Sequence, residues 1–421
     1  MRPPLTPREE DDDSTHLSDS LSDTLAARLR ARINAEGPIS FRDWMEAALY
    51  DERAGYYRRA RAARWGRAGD YRTSPERTPL FAATFARYFA TLHEQLGAPS
   101  EFNVVEAGAG AGDFAAVLLA TLRRDHPRVY ASLRYLIDEK GIEAAGDVRA
   151  DEMADGETRA DEFENHEFEN DARGREVEGA RARLAAKLAP FEGCVASFSL
   201  ARARESFEAC VVFSNELIDA LPVHRVRRVG GALVEMFVGL DDAGAFAWVE
   251  REPSTPRLAE HFRSVGVALE EGQAAEVNLD AEEWVASAAR VVGRGYVVTI
   301  DYGDEASRLY DASARREGTL RAFKRHAFAA NVLDAPGQQD ITTTVDWTQV
   351  RAAGERAGLR TLALEPLPRF LARAGLLEQL ERETELAQDE AERTALRLGA
   401  REMILPGGMA GSFQVLVQEK V

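Results

Sequence analysis

Between Val104 and Phe114 the chain reads Val-Val-Glu-Ala-Gly-Ala-Gly-Ala-Gly-Asp-Phe. An apolar run suited to a buried strand ends in an acid, three glycines alternate, and a helical period resumes over residues 114–122. Few folds can use such a passage. Glycine lets the backbone approach a ligand that a Cβ would exclude, and the helix start that follows leaves N–H groups without intrahelical partners. Other apolar runs repeat the plan of strand, then turn or acid: 133–137 closed by Asp138, 194–198, 209–213 and 295–300 closed by Asp301. Strands separated by helix-length segments predict an α/β fold with a parallel, doubly wound sheet.

The 421 residues suffice for two or three folding units. Residues 1–20 read as a disordered acidic tail. A helical segment is expected over 21–99, with Ser40 capping a helix and another helix running from Pro79 until Gly97 and Pro99 stop it. The main domain is expected over 100–222 and 290–421. It is interrupted at 141–179 by an acidic, low-complexity insertion that repeats Glu-Phe-Glu-Asn at 162–165 and 167–170. Residues 223–289 form a second, substrate-side insertion. Its apolar alternation around Gly230-Gly231 and the turn Asp241-Asp242-Ala243-Gly244 predict a β-meander.

Hydrophobic residues make up 45% and charged residues 29%, which excludes a wholly disordered chain. The net charge is -18, but residues 1–23 carry -5 of it and residues 141–179 carry -10, so the remaining body is nearly neutral. Nothing here suits a nucleic-acid surface. No run of about 18 apolar residues offers a membrane span. Cys194 and Cys210 sit in apolar surroundings without metal-ligand spacing, which reads as two reduced, buried thiols. The acidic N-terminal stretch resembles neither a signal nor a transit peptide, and a cytoplasmic location is the expectation.

A dinucleotide loop prefers G-x-G-x-x-G, whereas here one residue separates each glycine from the next. An acid before the first glycine suits a ligand with an amino group and a sulfonium, such as S-adenosylmethionine. Glu106, Gly108 and Gly110 are therefore the expected cofactor residues, with Asp138 placed to accept hydrogen bonds from ribose hydroxyls. Asn215, Glu216 and Asp219 follow the strand 209–213, where an open α/β sheet binds its ligands. The same three residues also suit a capped helix start. Asp301 is a further candidate, and His326 reads as a structural histidine.

The wider pattern resembles the MidA family of class I S-adenosylmethionine-dependent methyltransferases. The matching pieces are Ile39-Ser40-Phe41, Gly55-Tyr56-Tyr57, Gly69-Asp70-Tyr71-Arg72-Thr73-Ser74-Pro75-Glu76, Glu106-Ala107-Gly108-Ala109-Gly110 and Asn215 to Pro222, then Asp301-Tyr302-Gly303, Gly318-Thr319-Leu320, Asp340-Ile341-Thr342 and Gly411 to Leu416. The insertion at 141–179 departs from the family pattern, and Asp138 stands where relatives carry Glu. The resemblance implies a Rossmann-like, seven-stranded sheet whose last two strands form an antiparallel hairpin, at 359–364 and 412–418. It implies protein arginine methylation of a respiratory complex I subunit, the one matching the mitochondrial 49-kDa subunit; the alternatives are methyl transfer to another protein or a small molecule, and a non-catalytic assembly factor. In arginine methylation Glu216 and Asp219 would clamp the guanidinium, and Asn215 would orient one of the reactants. The dense motifs before the first sheet strand imply that Tyr56, Asp70, Thr73 and Ser74 cover the cofactor.

Overall fold

A computed structural model of the chain describes residues 24–58, 78–139, 183–324, 327–405 and 409–421. The expected tail at 1–20 and the acidic insertion at 141–179 lie outside the described residues. Seven strands build the main sheet: β1 Phe102–Ala107, β2 Leu133–Asp138, β3 Val195–Ser197, β4 Cys210–Asn215, β5 Gly295–Asp304, β6 Arg360–Pro366 and β7 Phe413–Lys420. Their order across the sheet is 3-2-1-4-5-7-6. The first five run parallel, and β7 lies antiparallel to both β5 and β6. This is the Rossmann-like methyltransferase sheet expected from the sequence, with its antiparallel pair at the edge.

Central strands of a parallel sheet are covered on both faces, so they read as continuous apolar runs. β1 is buried at every position and β4 at all but Asn215. β5 runs further than its apolar stretch predicts. Residues 301–304 carry it past the end of β4, where the short strand Val345–Asp346 pairs with residues 303–304. That overhang brings Tyr302 beyond the sheet.

Helices α1 Leu25–Glu36 and α2 Phe41–Tyr50 precede the sheet, and α3 Pro79–Gln95 and α4 Asp113–Asp125 pack on one of its faces. On the other face lie α5 Leu279–Val291 and α6 Trp347–Arg356. Phe114, in the first turn of α4, stacks on Phe213 of β4 with ring centroids 4.6 Å apart. Phe85 of α3 meets both rings. Truncating such a core phenylalanine costs about 3–5 kcal/mol, so the helix that follows the glycines is firmly anchored.

The meander forms a second sheet from His224–Val229, Ala232–Leu240 and Phe246–Arg251, extended by Ala274–Val277. Its first turn places Gly230 and Gly231 at positive φ, as a two-residue hairpin requires. The fifth strand comes from the N-terminal segment: Ile39–Ser40 pairs antiparallel with Val238 and Phe237. Ser40 then caps α2, its Oγ accepting the Asp43 N–H at 3.1 Å. Phe41, Trp44 and Met45 bury against the meander, with Phe41 5.0 Å from Trp248. The N-terminal helices and the insertion therefore share one core. A small third sheet, from Arg321–Lys324, Ala327–Phe328 and Asp340–Thr342, completes the architecture. Among the described residues no helix is long and apolar enough to cross a membrane.

Candidate functional site

A cavity of about 590 Å³ opens at the carboxyl ends of β1, β4 and β5. One end is the glycine turn. Gly108, Gly110 and Gly112 adopt φ of +75°, +56° and +77°, a region that side chains disfavour. A Cβ on Gly108 would also sit 3.0 Å from Leu217 Cδ1. The alternation of glycines thus reflects both backbone conformation and the space beside it. Glu106 lines this end, 4% exposed, and its Oε2 accepts the Tyr135 hydroxyl at 2.7 Å. Burial pushes its carboxyl up to about 8, against the Tyr135 bond, with the nearby Glu139 adding to the rise.

The two acids closing β2 point differently. Asp138 Oδ1 accepts the Leu200 N–H at 3.3 Å, and neither Asp138 nor Glu139 is among the residues lining the cavity. Glu139 reaches the glycine turn, its Oε2 accepting the Gly110 N–H at 3.0 Å. Asp138 is the last residue of β2, and Glu139 follows it on the side of the glycine turn.

The second end gathers groups from distant parts of the chain. Asn215 and Glu216 close β4, with Asn215 Nδ2 donating to Glu216 Oε1 at 3.1 Å. Neither caps a helix, because a single 3₁₀ turn, Ile218–Ala220, follows without a side-chain cap. Glu216 has φ of +53°. A non-glycine residue in that region is strained, and such strain concentrates at functional positions.

Asp219 sits in the 3₁₀ turn, 5% exposed, and lines the cavity. Asp301 holds the turn in place, its Oδ2 accepting the N–H groups of Ile218 at 3.0 Å and Asp219 at 3.2 Å. Asp301 is fully buried and does not reach the cavity wall, so it positions Asp219. Further ties are Thr343 N–H to the Asp219 carbonyl at 2.9 Å and the Tyr50 hydroxyl to the Ala220 carbonyl at 3.0 Å. Burial pushes the Asp219 carboxyl up to about 7, while a hydrogen bond from Tyr302 pulls it down and the charge of Asp340 raises it.

Asp340, Tyr302 and Tyr57 line the cavity as well, and none was singled out by sequence reasoning as a site residue. Asp340 is 8% exposed and accepts the Tyr57 hydroxyl at 2.7 Å. Tyr57 stacks on Tyr50 at 5.4 Å. The N-terminal segment thus reaches the site through Tyr57, whereas its neighbour Tyr56 is buried in the core beneath. Tyr-Tyr at 56–57 and Asp-Ile-Thr at 340–342 were visible as motifs, but only the fold brings them together. Asp70, Thr73, Ser74 and His326 lie outside the described residues.

The wall suits a nucleoside-bearing cation. A turn without side chains admits the backbone to close contact, and Glu106 and Glu139 supply carboxylates beside it. Asn215 Oδ1 and Asp219 Oδ1 are buried with no hydrogen-bond partner among the described residues, so two acceptors remain for a ligand.

The sequence profile of a family described as "Putative S-adenosyl-L-methionine-dependent methyltransferase" matches residues 84–364. The mitochondrial protein arginine methyltransferase NDUFAF7 homologue of Drosophila melanogaster is 26% identical over 85% of this chain and 76% of that protein. The mitochondrial protein arginine methyltransferase NDUFAF7 of Danio rerio is 27% identical over 82% of this chain and 75% of its own length. A Burkholderia thailandensis protein, crystallised with S-adenosyl-homocysteine, superposes with a TM-score of 0.74 at 28% identity, over 99% of this chain and 95% of that one.

Proposed function

Because the chain belongs to this family of S-adenosyl-L-methionine-dependent methyltransferases, we propose that its acceptor is a guanidinium nitrogen of an arginine in a protein. The observation that carries the reading is the group of carboxylates at one end of the cavity. Glu216, Asp219 and Asp340 line the wall beyond the glycine turn, and carboxylates pair with a guanidinium bidentately, fixing its orientation as well as its charge.

S-adenosylmethionine supplies an electrophilic methyl group on a sulfonium. Gly108 and Gly110 would let the backbone lie against it, Glu106 would face its ammonium, and Asp138, with Glu139 next to it, would accept from its ribose. Glu216 and Asp219 hold the guanidinium, which must approach another cation and needs compensating charge to do so. The guanidinium nitrogen forms the new N–C bond as the S–C bond breaks, its electron pair staying on sulfur. The methylated nitrogen then loses a proton, and Asp219, pushed up to about 7, is suited to accept it. Asn215 orients the reactants through its buried, unpartnered oxygen. Thr73 and Ser74 complete the cofactor side in this reading.

The relatives named as protein arginine methyltransferases support a protein acceptor. The MidA resemblance points to the complex I subunit matching the mitochondrial 49-kDa subunit, methylated during assembly. The test is labelled S-adenosylmethionine incubated with the protein and a lysate of the source cell lacking it, followed by identification of the labelled band and hydrolysis. Methylarginine in one protein is the expected result. Label in another residue or in a small molecule, or no label at all, overturns it.

A further inference from the structure

Tyr302 lines the cavity, as do Asp219 and Thr342, and burial, then the charge of Asp219, push its hydroxyl well above the usual value. The guanidinium of Arg321 lies over its ring, 5.6 Å from the centroid. Arg308 and Arg315 line the same mouth. Arg315 pairs with Asp304 at 2.7 Å, whereas Arg308 approaches that carboxylate only to 3.9 Å and leaves its side chain 81% exposed. Arg321 donates to the Thr344 hydroxyl at 3.4 Å and, among the described residues, has no carboxylate partner. Of the three guanidiniums at the mouth, two share the one carboxylate of Asp304 and Arg321 has none among the described residues, while Glu216, Asp219 and Asp340 make the interior negative.

Such segregation is of little use for admitting an isolated cation, which a positive mouth repels. It suits a segment carrying both signs. We propose that Arg308, Arg315 and Arg321 form a subsite for an acidic side chain of the substrate, close in sequence to the methylated arginine; this rests on the arginine reading above. The ring of Tyr302 sets the spacing. With a guanidinium 5.6 Å over its face and Asp219 near its hydroxyl edge, the two charged groups are roughly 8 Å apart, from ring size and hydrogen-bond reach. An extended chain advances about 3.3–3.6 Å per residue, which puts the acid within about three residues of the acceptor. The acid lands where Arg321 is free to turn toward it, and where the exposed Arg308 can add a second contact.

The experiment is an arginine-centred peptide library, with Glu or Gln at each of the flanking positions, measured two ways on the full chain. Binding to the protein saturated with S-adenosyl-homocysteine is read by fluorescence anisotropy, and methyl transfer is read separately. The proposal expects Glu to bind about fivefold more tightly than Gln at one flanking position, with the advantage shrinking in high salt. Arg321→Ala should remove that advantage and raise KM for the Glu peptide, leaving kcat and S-adenosyl-homocysteine affinity in place. Arg321→Glu should transfer the preference to a Lys-flanked peptide. Equal binding of Glu and Gln peptides overturns the subsite, and so does a loss of S-adenosyl-homocysteine affinity in Arg321→Ala, which would place Arg321 on the cofactor. A Glu preference in binding with no methyl transfer to any arginine would instead overturn the arginine reading and leave the acidic subsite standing.

Discussion

At the glycine-turn end of the cavity, one short stretch, residues 106, 108–111 and 113, supplies the wall with backbone and two carboxyl groups. At the acceptor end, side chains from positions 57, 215–219, 302 and 340–342 converge from four separate stretches. The first end is specified by what is missing, the Cβ atoms of Gly108 and Gly110. The second is specified by charges that are held in place, with Asp301 gripping the Asp219 turn through two N–H groups and Tyr57 gripping Asp340. The two ends should therefore fail differently: one by filling, with loss of ligand, the other by neutralisation, with loss of rate.

The acceptor end should give the largest effect. Asp219→Asn keeps the shape and removes a charge needed only as the methyl group moves, so turnover should fall by about 10²–10³, the range for electrostatic transition-state contacts. S-adenosyl-homocysteine affinity should stay within about twofold, well under the 1.4 kcal/mol of a tenfold change. Single-turnover methyl transfer and calorimetry on the same variant check both halves. A variant that loses ligand and rate together would erase the distinction between the ends.

Gly108→Val tests the opposite end. The left-handed φ costs a side chain about 1–2 kcal/mol and crowding against Leu217 about 1–3 kcal/mol. S-adenosyl-homocysteine binding should weaken by about a hundredfold, and the melting temperature should fall by several degrees. Affinity retained within tenfold would show that the ligand does not lie against this turn.

Glu216→Gln should lower turnover at least tenfold with cofactor affinity little changed. Its strained φ belongs to the backbone and stays, so the melting temperature should hold. Unchanged turnover with a lowered melting point would remove Glu216 from the clamp.

The smallest effect is in pH. Glu106 and Asp219 have carboxyls pushed up by burial to about 8 and about 7. A carboxyl raised in the folded state stabilises the fold below its unfolded value, and that stabilisation is lost as pH rises through the folded value. Without ligand, the protein should thus melt lower at pH 8 than at pH 6. The ammonium group of the ligand favours ionised Glu106, so S-adenosyl-homocysteine should bind about fivefold more tightly at pH 8 than at pH 7. Calorimetry in buffers of different ionisation enthalpy should detect proton release on binding. Glu106→Gln should flatten the profile, and an unchanged slope would move the proton to another group.

The same contrast explains what could be read in advance. The parallel strands and the meander follow from local patterns of apolar residues and turns, whereas the terminal antiparallel pair came from the family resemblance. The glycine turn is contiguous, so Glu106, Gly108 and Gly110 were visible together. At the acceptor end Asn215, Glu216 and Asp219 could be read because they follow one strand. Tyr57 and Asp340 could not, because 283 residues of chain separate the partners of that hydrogen bond. Asp301 resembled a site acid in sequence and became a positioning residue only once its carboxylate was seen on backbone N–H groups.

The pairing of Ile39–Ser40 with Val238 and Phe237 has a consequence for synthesis of the chain. Phe41, Trp44 and Met45, each 0% exposed in the finished protein, have no sheet to bury against until the meander has been made. At about 5–20 residues per second, a ribosome needs roughly 10–40 s to cover that interval. During that time α2 presents an unsatisfied aromatic face. A nascent chain arrested before the meander should therefore engage a holding chaperone through this helix, and one arrested after the meander has left the ribosome should release it.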